Sequence, residues 1–172
     1  QFINTYYFQQ VLACNNMIGA VNPDNATDKQ LGYLGAGLAF RAMCYLDMAR
    51  MYEFLPNDKV SSINAEGNDV KGLTVPIVTA EMNQADALNN PRATHEEMFN
   101  FIEDDLNKAE QYIVNLTDTR SNVLPDLACV YGLKARLYMW NENYDKAAEY
   151  ARKAINTAKV SPMTEYDCPN YK

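Results

Sequence analysis

Apolar side chains recur at spacings of three and four residues in five segments of the chain, and polar stretches separate these segments. This spacing places the apolar side chains on one face of an α-helix, whereas a β-strand requires alternation. No segment alternates for long enough to predict a strand of any size. We therefore expect an all-α fold, with helices over about 2–20, 28–54, 95–115, 125–141 and 143–159 and a long loop insertion over about 55–94.

Local signals mark where several of these helices begin. Thr27 is followed by Gln30, and Thr94 is followed by Glu97. At this spacing each side chain reaches the backbone N–H of the other residue, which forms a capping box. Pro125 suits the first position of a helix because its φ angle is already helical. These signals predict helix starts next to Thr27 and Thr94 and at Pro125.

The helix over about 28–54 is apolar on almost all of its faces, which predicts a central helix with neighbours on several sides. It contains Gly32, Gly35 and Gly37, each of which costs about 1 kcal/mol relative to alanine in a helix. We expect close approach of another segment to offset this cost. The apolar run "LGYLGAGLAFRAMCYL" is interrupted by Arg41 and is shorter than the roughly 20 residues that cross a bilayer, so it is not predicted to span a membrane.

The loop insertion is too long to be an ordinary connection, since such segments in compact domains are usually functional or disordered. Its acidic and amide side chains include Asn57, Asp58, Asn68 and Asp69. They do not follow the alternating spacing of a calcium-binding loop. Turn formation is the favoured interpretation, and no metal site is predicted.

Charge and motif content exclude several functions. The chain carries 15 Lys and Arg against 22 Asp and Glu, a net charge of −7, and no basic run, so we expect no binding to nucleic acid. The sequence "GYLGAG" reverses the dinucleotide-binding fingerprint and follows no predicted strand. We therefore expect no cofactor.

Catalytic groups are also sparse. His95 is the only histidine, and its position in the first turn of a helix predicts a solvated side chain rather than a general base or metal ligand. The acidic run Glu103, Asp104 and Asp105 is interpreted as a solvated helix face. No catalytic residue is predicted in this segment, although a part of the protein outside it could carry the catalytic groups.

The four cysteines are far apart and form no CxxC pair. Three of them fall within helical patterns, where a thiol packs as a small apolar group. We predict free, buried thiols rather than disulfides for Cys14, Cys44, Cys129 and Cys168.

The last two predicted helices carry matching stripes of small and aromatic side chains. The first stripe is Ala128, Tyr131, Ala135 and Tyr138, and the second is Tyr144, Ala147, Ala151, Ala154 and Ala158. Small residues facing aromatic ones allow two antiparallel helices to approach closely. The pattern resembles a tetratricopeptide repeat, from which it departs at Ala151, where a bulky aromatic is usual, and at Pro162, which comes late.

Four segments of the chain point to a more specific family. "FRAMCYLDMARMYEFLP", "GLTVPIV", "NPRATHEEMFNFIEDDLNKAEQYI" and "LPDLACVYGLKARLYMWNENYDKAAEYARKAI" occur in this order. Together they are similar to the amino-terminal half of the SusD/RagB family. The resemblance implies a SusD-like fold whose carboxyl-terminal half lies outside this chain. It also implies a lipid-anchored protein on the bacterial outer-membrane surface, of the Bacteroidetes type, which captures glycans or other nutrients for a SusC-like TonB-dependent transporter. The resemblance further implies a binding protein that is not an enzyme. The lipid anchor would lie upstream of this segment.

The family has no short motif that identifies its ligand-binding residues, so candidates come from chemistry alone. Sugars stack on exposed aromatic rings and exchange hydrogen bonds with polar side chains, which directs attention to the exit of the second helix. The candidates there are Tyr52, Phe54 and Asn57, and burial of both rings in the core is the competing interpretation. Trp140 is a second possible platform, although packing over the hairpin tip is the favoured role.

A tetratricopeptide scaffold that binds a peptide or a partner protein is the alternative function. The loop insertion and the single well-formed hairpin argue against it, because such scaffolds stack uniform repeats of about 34 residues.

Overall fold

The computed structural model describes residues 2–57, 59–117, 123–158 and 161 of the chain. Within these ranges it contains isolated β-bridges but no β-strand, as expected for an all-α fold. Short 3₁₀ turns occupy Pro23–Asn25 and Ile113–Asn115. The α-helices are α1 (Phe2–Gly19), α2 (Asp28–Tyr52), α3 (Gln84–Leu88), α4 (His95–Tyr112), α5 (Leu127–Trp140) and α6 (Tyr144–Ala158).

Helix α2 is the centre of the fold. It packs against α1, α4 and α5, and α6 packs on the outer side of α5. Tyr45, Leu46 and Met48 of α2 are fully buried, in agreement with the prediction of a central helix. Both predicted capping boxes are present: the Thr27 N–H donates to Gln30 Oε1 at 2.9 Å, and the Thr94 N–H donates to Glu97 Oε2 at 2.8 Å.

The glycines of α2 allow the close approach that the sequence predicts. A Cβ atom on Gly32 would lie 2.7 Å from the backbone of Leu116, and one on Gly35 would lie 2.6 Å from the Ile113 nitrogen. Real Cβ atoms do not come this close to backbone atoms. The 3₁₀ turn after α4 therefore rests directly on the α2 backbone.

The described residues of the segment over 55–94 form more than a plain loop. It contains the short helix α3, which the sequence analysis did not predict and which Asn83 and Asp86 cap at its start. Arg92 ties the segment to the end of α2, because its guanidinium donates to the carbonyls of Tyr52 and Leu73 at 2.8 and 2.6 Å. Side-chain caps and cross-links thus replace the regular hydrogen bonding that a longer helix would provide.

The prediction that Pro125 opens the fourth long helix was wrong. Helix α5 begins at Leu127, and Asp126 is its N-cap. The Asp126 carboxylate accepts a hydrogen bond from the Cys129 N–H at 2.8 Å. An aspartate that satisfies a free N–H of the first turn defines the start more strongly than a proline one residue earlier.

Helices α5 and α6 form the antiparallel hairpin that the matched stripes predict. Ala147 is buried at their interface. Tyr150 stacks on Tyr138 with 5.4 Å between ring centroids, so it supplies the aromatic ring that is missing at Ala151. Tyr144, which the stripe assigned to the interface, is instead 60% exposed. It is the first residue of α6 and lines the surface beside Met139 and Trp140 instead of the interface.

Replacing Ala147 with Phe is expected to lower the free energy of unfolding by about 1–3 kcal/mol, because the ring has no room between α5 and α6. Ala148→Phe is the control, since Ala148 is exposed on the same helix and its replacement should change stability by less than about 0.5 kcal/mol. Urea unfolding followed by circular dichroism measures both. Equal stability of Ala147→Phe and the parent chain would contradict close packing of the hairpin.

The interpretation of the acidic run as a solvated face was wrong for Asp105. Asp104 is exposed and pairs with Lys108 at 2.6 Å, as expected for a surface residue. Asp105 is buried, and both of its carboxylate oxygens accept hydrogen bonds from Arg41, at 2.7 and 2.8 Å. The third residue of the run therefore points into the core toward α2.

Cys14, Cys44 and Cys129 are free thiols in the described part of the chain, as predicted. Cys14 and Cys44 are buried, but Cys129 is exposed, so the prediction of a buried thiol was wrong there. Burial raises the pKa of Cys44 to about 12, so its thiol stays protonated at neutral pH. Cys168 and Pro162 lie outside the described residues. Among the helices of the described ranges, none combines the length and apolar character needed to cross a membrane.

Candidate functional site

The two aromatic residues proposed at the exit of α2 are half-buried. Tyr52 packs against the hydrophobic core, and its carbonyl accepts the hydrogen bond from Arg92. The carbonyl of Phe54 accepts a hydrogen bond from the Gly72 N–H at 3.3 Å. Both backbones therefore anchor the segment that follows α2.

Asn57, the third candidate, is exposed, and its side chain serves a local turn. Its Oδ1 accepts hydrogen bonds from the N–H groups of Lys59 and Val60 at 3.0 and 2.9 Å, and its Nδ2 donates to the Leu55 carbonyl at 3.2 Å. A ligand would have to compete with these bonds. Contact of Tyr52, Phe54 or Asn57 with a ligand stays a prediction.

His95 is not the solvated residue that the sequence predicts. Its ring lies 2.8 Å from Glu53 Oε1 through Nδ1 and 3.1 Å from Asn141 Oδ1 through Nε2. It also packs against Trp140, with 4.0 Å between ring centroids. The start of α4 meets the ends of α2 and α5 here, so residues far apart in sequence surround the imidazole.

Glu53 joins this cluster to the single tryptophan. Its second oxygen, Oε2, accepts a hydrogen bond from the Trp140 indole N–H at 2.8 Å, and its side chain is only 8% exposed. The carboxylate thus holds His95 and Trp140 at the same time. Trp140 is oriented by contacts with α2 and α4 as well as by its own hairpin.

Two depressions lie beside Trp140. The first, which we call the alanine groove, has a volume of about 570 Å³ and is lined by Ala135, Ala147, Ala148 and Ala151 together with Arg136. The second, which we call the histidine cleft, has a volume of about 650 Å³ and is lined by Glu53, Leu55, His95, Asn141 and Glu142. Four residues line both: Arg50, Met139, Trp140 and Tyr144.

The two depressions differ in charge. Arg50 and Arg136 are the charged residues of the alanine groove, and no carboxylate is among its described lining residues. Arg136 pairs with Asp47 at 2.6 Å, whereas Arg50 forms no ion pair with any residue that the structure describes. The histidine cleft adds the carboxylates of Glu53 and Glu142. The described lining of the alanine groove therefore carries two arginines and no carboxylate, on a chain with a net charge of −7.

Apolar surface is exposed around the same place. Met139 is 55% exposed and Tyr144 is 60% exposed, and Leu55 borders the histidine cleft with 66% of its surface exposed. Concave surfaces that combine aromatic or apolar side chains with a few directed polar groups are typical of small-molecule sites. In the described residues, no group of three or more His, Cys, Asp or Glu side chains is placed to hold a metal ion.

Most of these residues escaped the sequence analysis. Arg50, Met139 and Tyr144 come from two distant segments, and only Trp140 was considered as a platform. One feature of the sequence does point to this site. Large side chains lie on both sides of the tight turn between α5 and α6, and residues next to such a turn are difficult to bury in a core. The exit of α2 does border the site, but through Glu53 and Leu55.

Comparison with known proteins identifies the fold. No protein-family profile matches the chain, and no curated protein is significantly similar to it in sequence. Solved structures do match: a SusD-like carbohydrate binding protein from Bacteroides vulgatus superposes with a TM-score of 0.74 at 20% identity, over 96% of this chain and 33% of that protein. The chain has a SusD-like fold.

Two further SusD-like structures agree with this assignment. A SusD superfamily protein from Bacteroides thetaiotaomicron has a TM-score of 0.69 and 18% identity, over 98% of this chain and 34% of its own. One from Bacteroides fragilis has a TM-score of 0.66 and 21% identity, over 91% and 30%. The chain spans about a third of the length of these SusD-like proteins. The fold that the four-segment resemblance implied is confirmed.

Proposed function

We propose that this protein is a cell-surface nutrient-binding protein that captures glycans or oligosaccharides. The observation that carries the proposal is the SusD-like fold, which this chain shares with a protein described as carbohydrate binding. The exposed aromatic and apolar side chains beside Trp140 supply a surface of the kind that sugar rings stack on.

The proposal extends to cellular context. We infer that the protein is lipid-anchored in a bacterial outer membrane, through a cysteine upstream of this segment, and delivers its ligand to a SusC-like TonB-dependent transporter. The support is the order of four sequence segments similar to the SusD/RagB family together with the SusD-like fold. This part is tested separately by purifying the protein from the outer membranes of the bacterium that makes it. A TonB-dependent transporter is expected to co-purify with it.

We also propose that the ligand is bound without being altered. Both ring nitrogens of His95 face acceptor oxygens, and both carboxylate oxygens of Asp105 accept hydrogen bonds from Arg41. This pair encloses Asp105 in the core, and the SusD-like protein from Bacteroides vulgatus is described as carbohydrate binding, which supports binding without catalysis.

Calorimetric titration of the protein with a panel of plant, host and microbial glycans is expected to detect binding at about micromolar to millimolar Kd. The affinity is modest because a polyol exchanges hydrogen bonds with water for hydrogen bonds with the protein. Chromatography of the same mixtures should recover every glycan unchanged.

Each other outcome has a distinct meaning. Product formation would establish an enzyme and contradict binding alone. Absence of binding to any glycan, with binding to a peptide or partner protein, would favour the tetratricopeptide scaffold.

A further inference from the structure

The alanine groove combines features that select a ligand. Its volume of about 570 Å³ lies within the range of about 300–1,000 Å³ that is usual for small-molecule sites. The small side chains of Ala148 and Ala151 line the groove on the surface of the hairpin, and Trp140 and Tyr144 supply aromatic surface at one end. A rigid ring with an apolar face fits this shape.

The tryptophan of the groove is held in place without a ligand. Glu53 bonds its indole N–H at 2.8 Å, and His95 covers part of the ring at a centroid distance of 4.0 Å. Ordering a side chain on binding costs about 0.5–1.5 kcal/mol for each immobilised side chain. Trp140 avoids most of this cost, so stacking on it contributes more fully to affinity.

The charged side chains of the groove also restrict which ligands can bind. Arg50 has no ion-pair partner among the described residues, and Arg136 places a second guanidinium at the groove. Asp47 neutralises Arg136 but does not line the groove. A guanidinium forms strong, often bidentate hydrogen bonds with a carboxylate, so this groove favours an anionic ligand.

We propose that the alanine groove is a subsite for an acidic sugar, a uronic acid unit of an oligosaccharide, whose carboxylate binds Arg50 and whose ring stacks on the aromatic surface of Trp140 and Tyr144. This inference rests on the proposed glycan-binding function and names the class of sugar. It requires an aromatic platform in the same depression as a cation that has no ion-pair partner among the described residues, and both are present.

Fluorescence titration provides a test because Trp140 is the only tryptophan of the chain. The probes are an oligogalacturonate and its methyl ester, which share the same rings but differ in charge. The acid form is expected to change Trp140 fluorescence and to bind about tenfold more tightly than the ester, as a charge-assisted hydrogen bond predicts.

Variants separate the two contributions. Arg50→Gln should abolish the preference for the acid, so that both probes bind as the ester does, whereas Tyr144→Ala should weaken both probes. Lys29→Gln is the control, since it removes the same charge from an exposed residue at the opposite end of α2 and should leave both affinities unchanged. Thermal unfolding by circular dichroism verifies that each variant is folded.

Several results would overturn the assignment while leaving the proposed function intact. One such result is equal affinity of the parent chain for the acid and the ester. Another is a glycan that binds in the calorimeter without changing Trp140 fluorescence and whose affinity is the same for Arg50→Gln as for the parent chain. Binding of polyglutamate through Arg50, with no binding of the uronate, would assign the groove to an acidic peptide instead. Failure of every glycan in the calorimetric panel would remove the proposed function itself.

Discussion

Replacing Asp105 with Asn is expected to lower the free energy of unfolding by about 3–5 kcal/mol, because it leaves the Arg41 charge buried without its counterion. The two side chains are 2% and 8% exposed. Arg41 donates to both Asp105 oxygens at 2.7 and 2.8 Å and to Asn15 Oδ1 at 2.8 Å. The pair therefore joins α1, α2 and α4 through one guanidinium.

The pKa of Arg41 shows why its charge persists in the core. Burial by itself lowers this pKa, but the hydrogen bonds and the negative charge of Asp105 outweigh burial and raise it above its ordinary value. Arg41 thus remains charged throughout the range in which the protein is handled. Burial raises the pKa of the Asp105 carboxyl above its ordinary value, so the loss of stability in Asp105→Asn is expected at neutral pH and should shrink as acid protonates Asp105.

Urea unfolding at neutral pH measures this loss in the free energy of unfolding. Two further variants show whether it comes from the buried ion pair. Asp104→Asn removes an exposed carboxylate one residue away, whose ion pair with Lys108 contributes about 0–1 kcal/mol. Replacing both Arg41 with Met and Asp105 with Leu removes the pair together and should recover most of the lost stability. A loss below about 1 kcal/mol for Asp105→Asn would mean that water reaches the guanidinium.

The long helices were predictable because their signals are local. A capping box depends on two residues three positions apart, and Thr27 with Gln30 and Thr94 with Glu97 satisfy it in the structure as they do in the sequence. Apolar periodicity likewise involves neighbours within a few turns. The same locality misled the analysis at Pro125, where the capping side chain of Asp126 decided the helix start.

Contacts between distant residues were not predictable in this way. Asp105 stands in a run of three acidic residues, and the sequence does not show that this one faces Arg41, 64 positions earlier. The same limit applies to His95, whose partners Glu53 and Asn141 lie 42 and 46 positions away. Burial of a charge or an imidazole depends on which elements converge on it, and that information appears only with the tertiary structure.

The candidate site illustrates both cases. The exit of α2 was chosen because it combines rings with polar residues, and it does border the histidine cleft, through Glu53 and Leu55. The alanine groove needed the pairing of α5 with α6 and the position of Arg50 beside them. Neither follows from composition.

Replacing Gly35 with Ala is expected to lower the free energy of unfolding by about 1–3 kcal/mol, the usual cost of overpacking. The added Cβ would lie 2.6 Å from the Ile113 nitrogen and 3.0 Å from its Cα. These are backbone atoms, which cannot rotate away as a side chain can. The helix propensity of Ala favours the substitution by about 1 kcal/mol, so the steric cost must exceed this gain.

Gly132→Ala is the matched control for Gly35→Ala, because it makes the same chemical change inside another helix, α5. A Cβ atom on Gly132 meets nothing within 4 Å, so only the gain in propensity remains and stability should rise by about 0.4–1 kcal/mol. The two variants are thus expected to shift the urea midpoint in opposite directions. If Gly35→Ala also raised the midpoint, α2 would have room that the structure does not show, and the 3₁₀ turn at Ile113–Asn115 would not rest on its backbone.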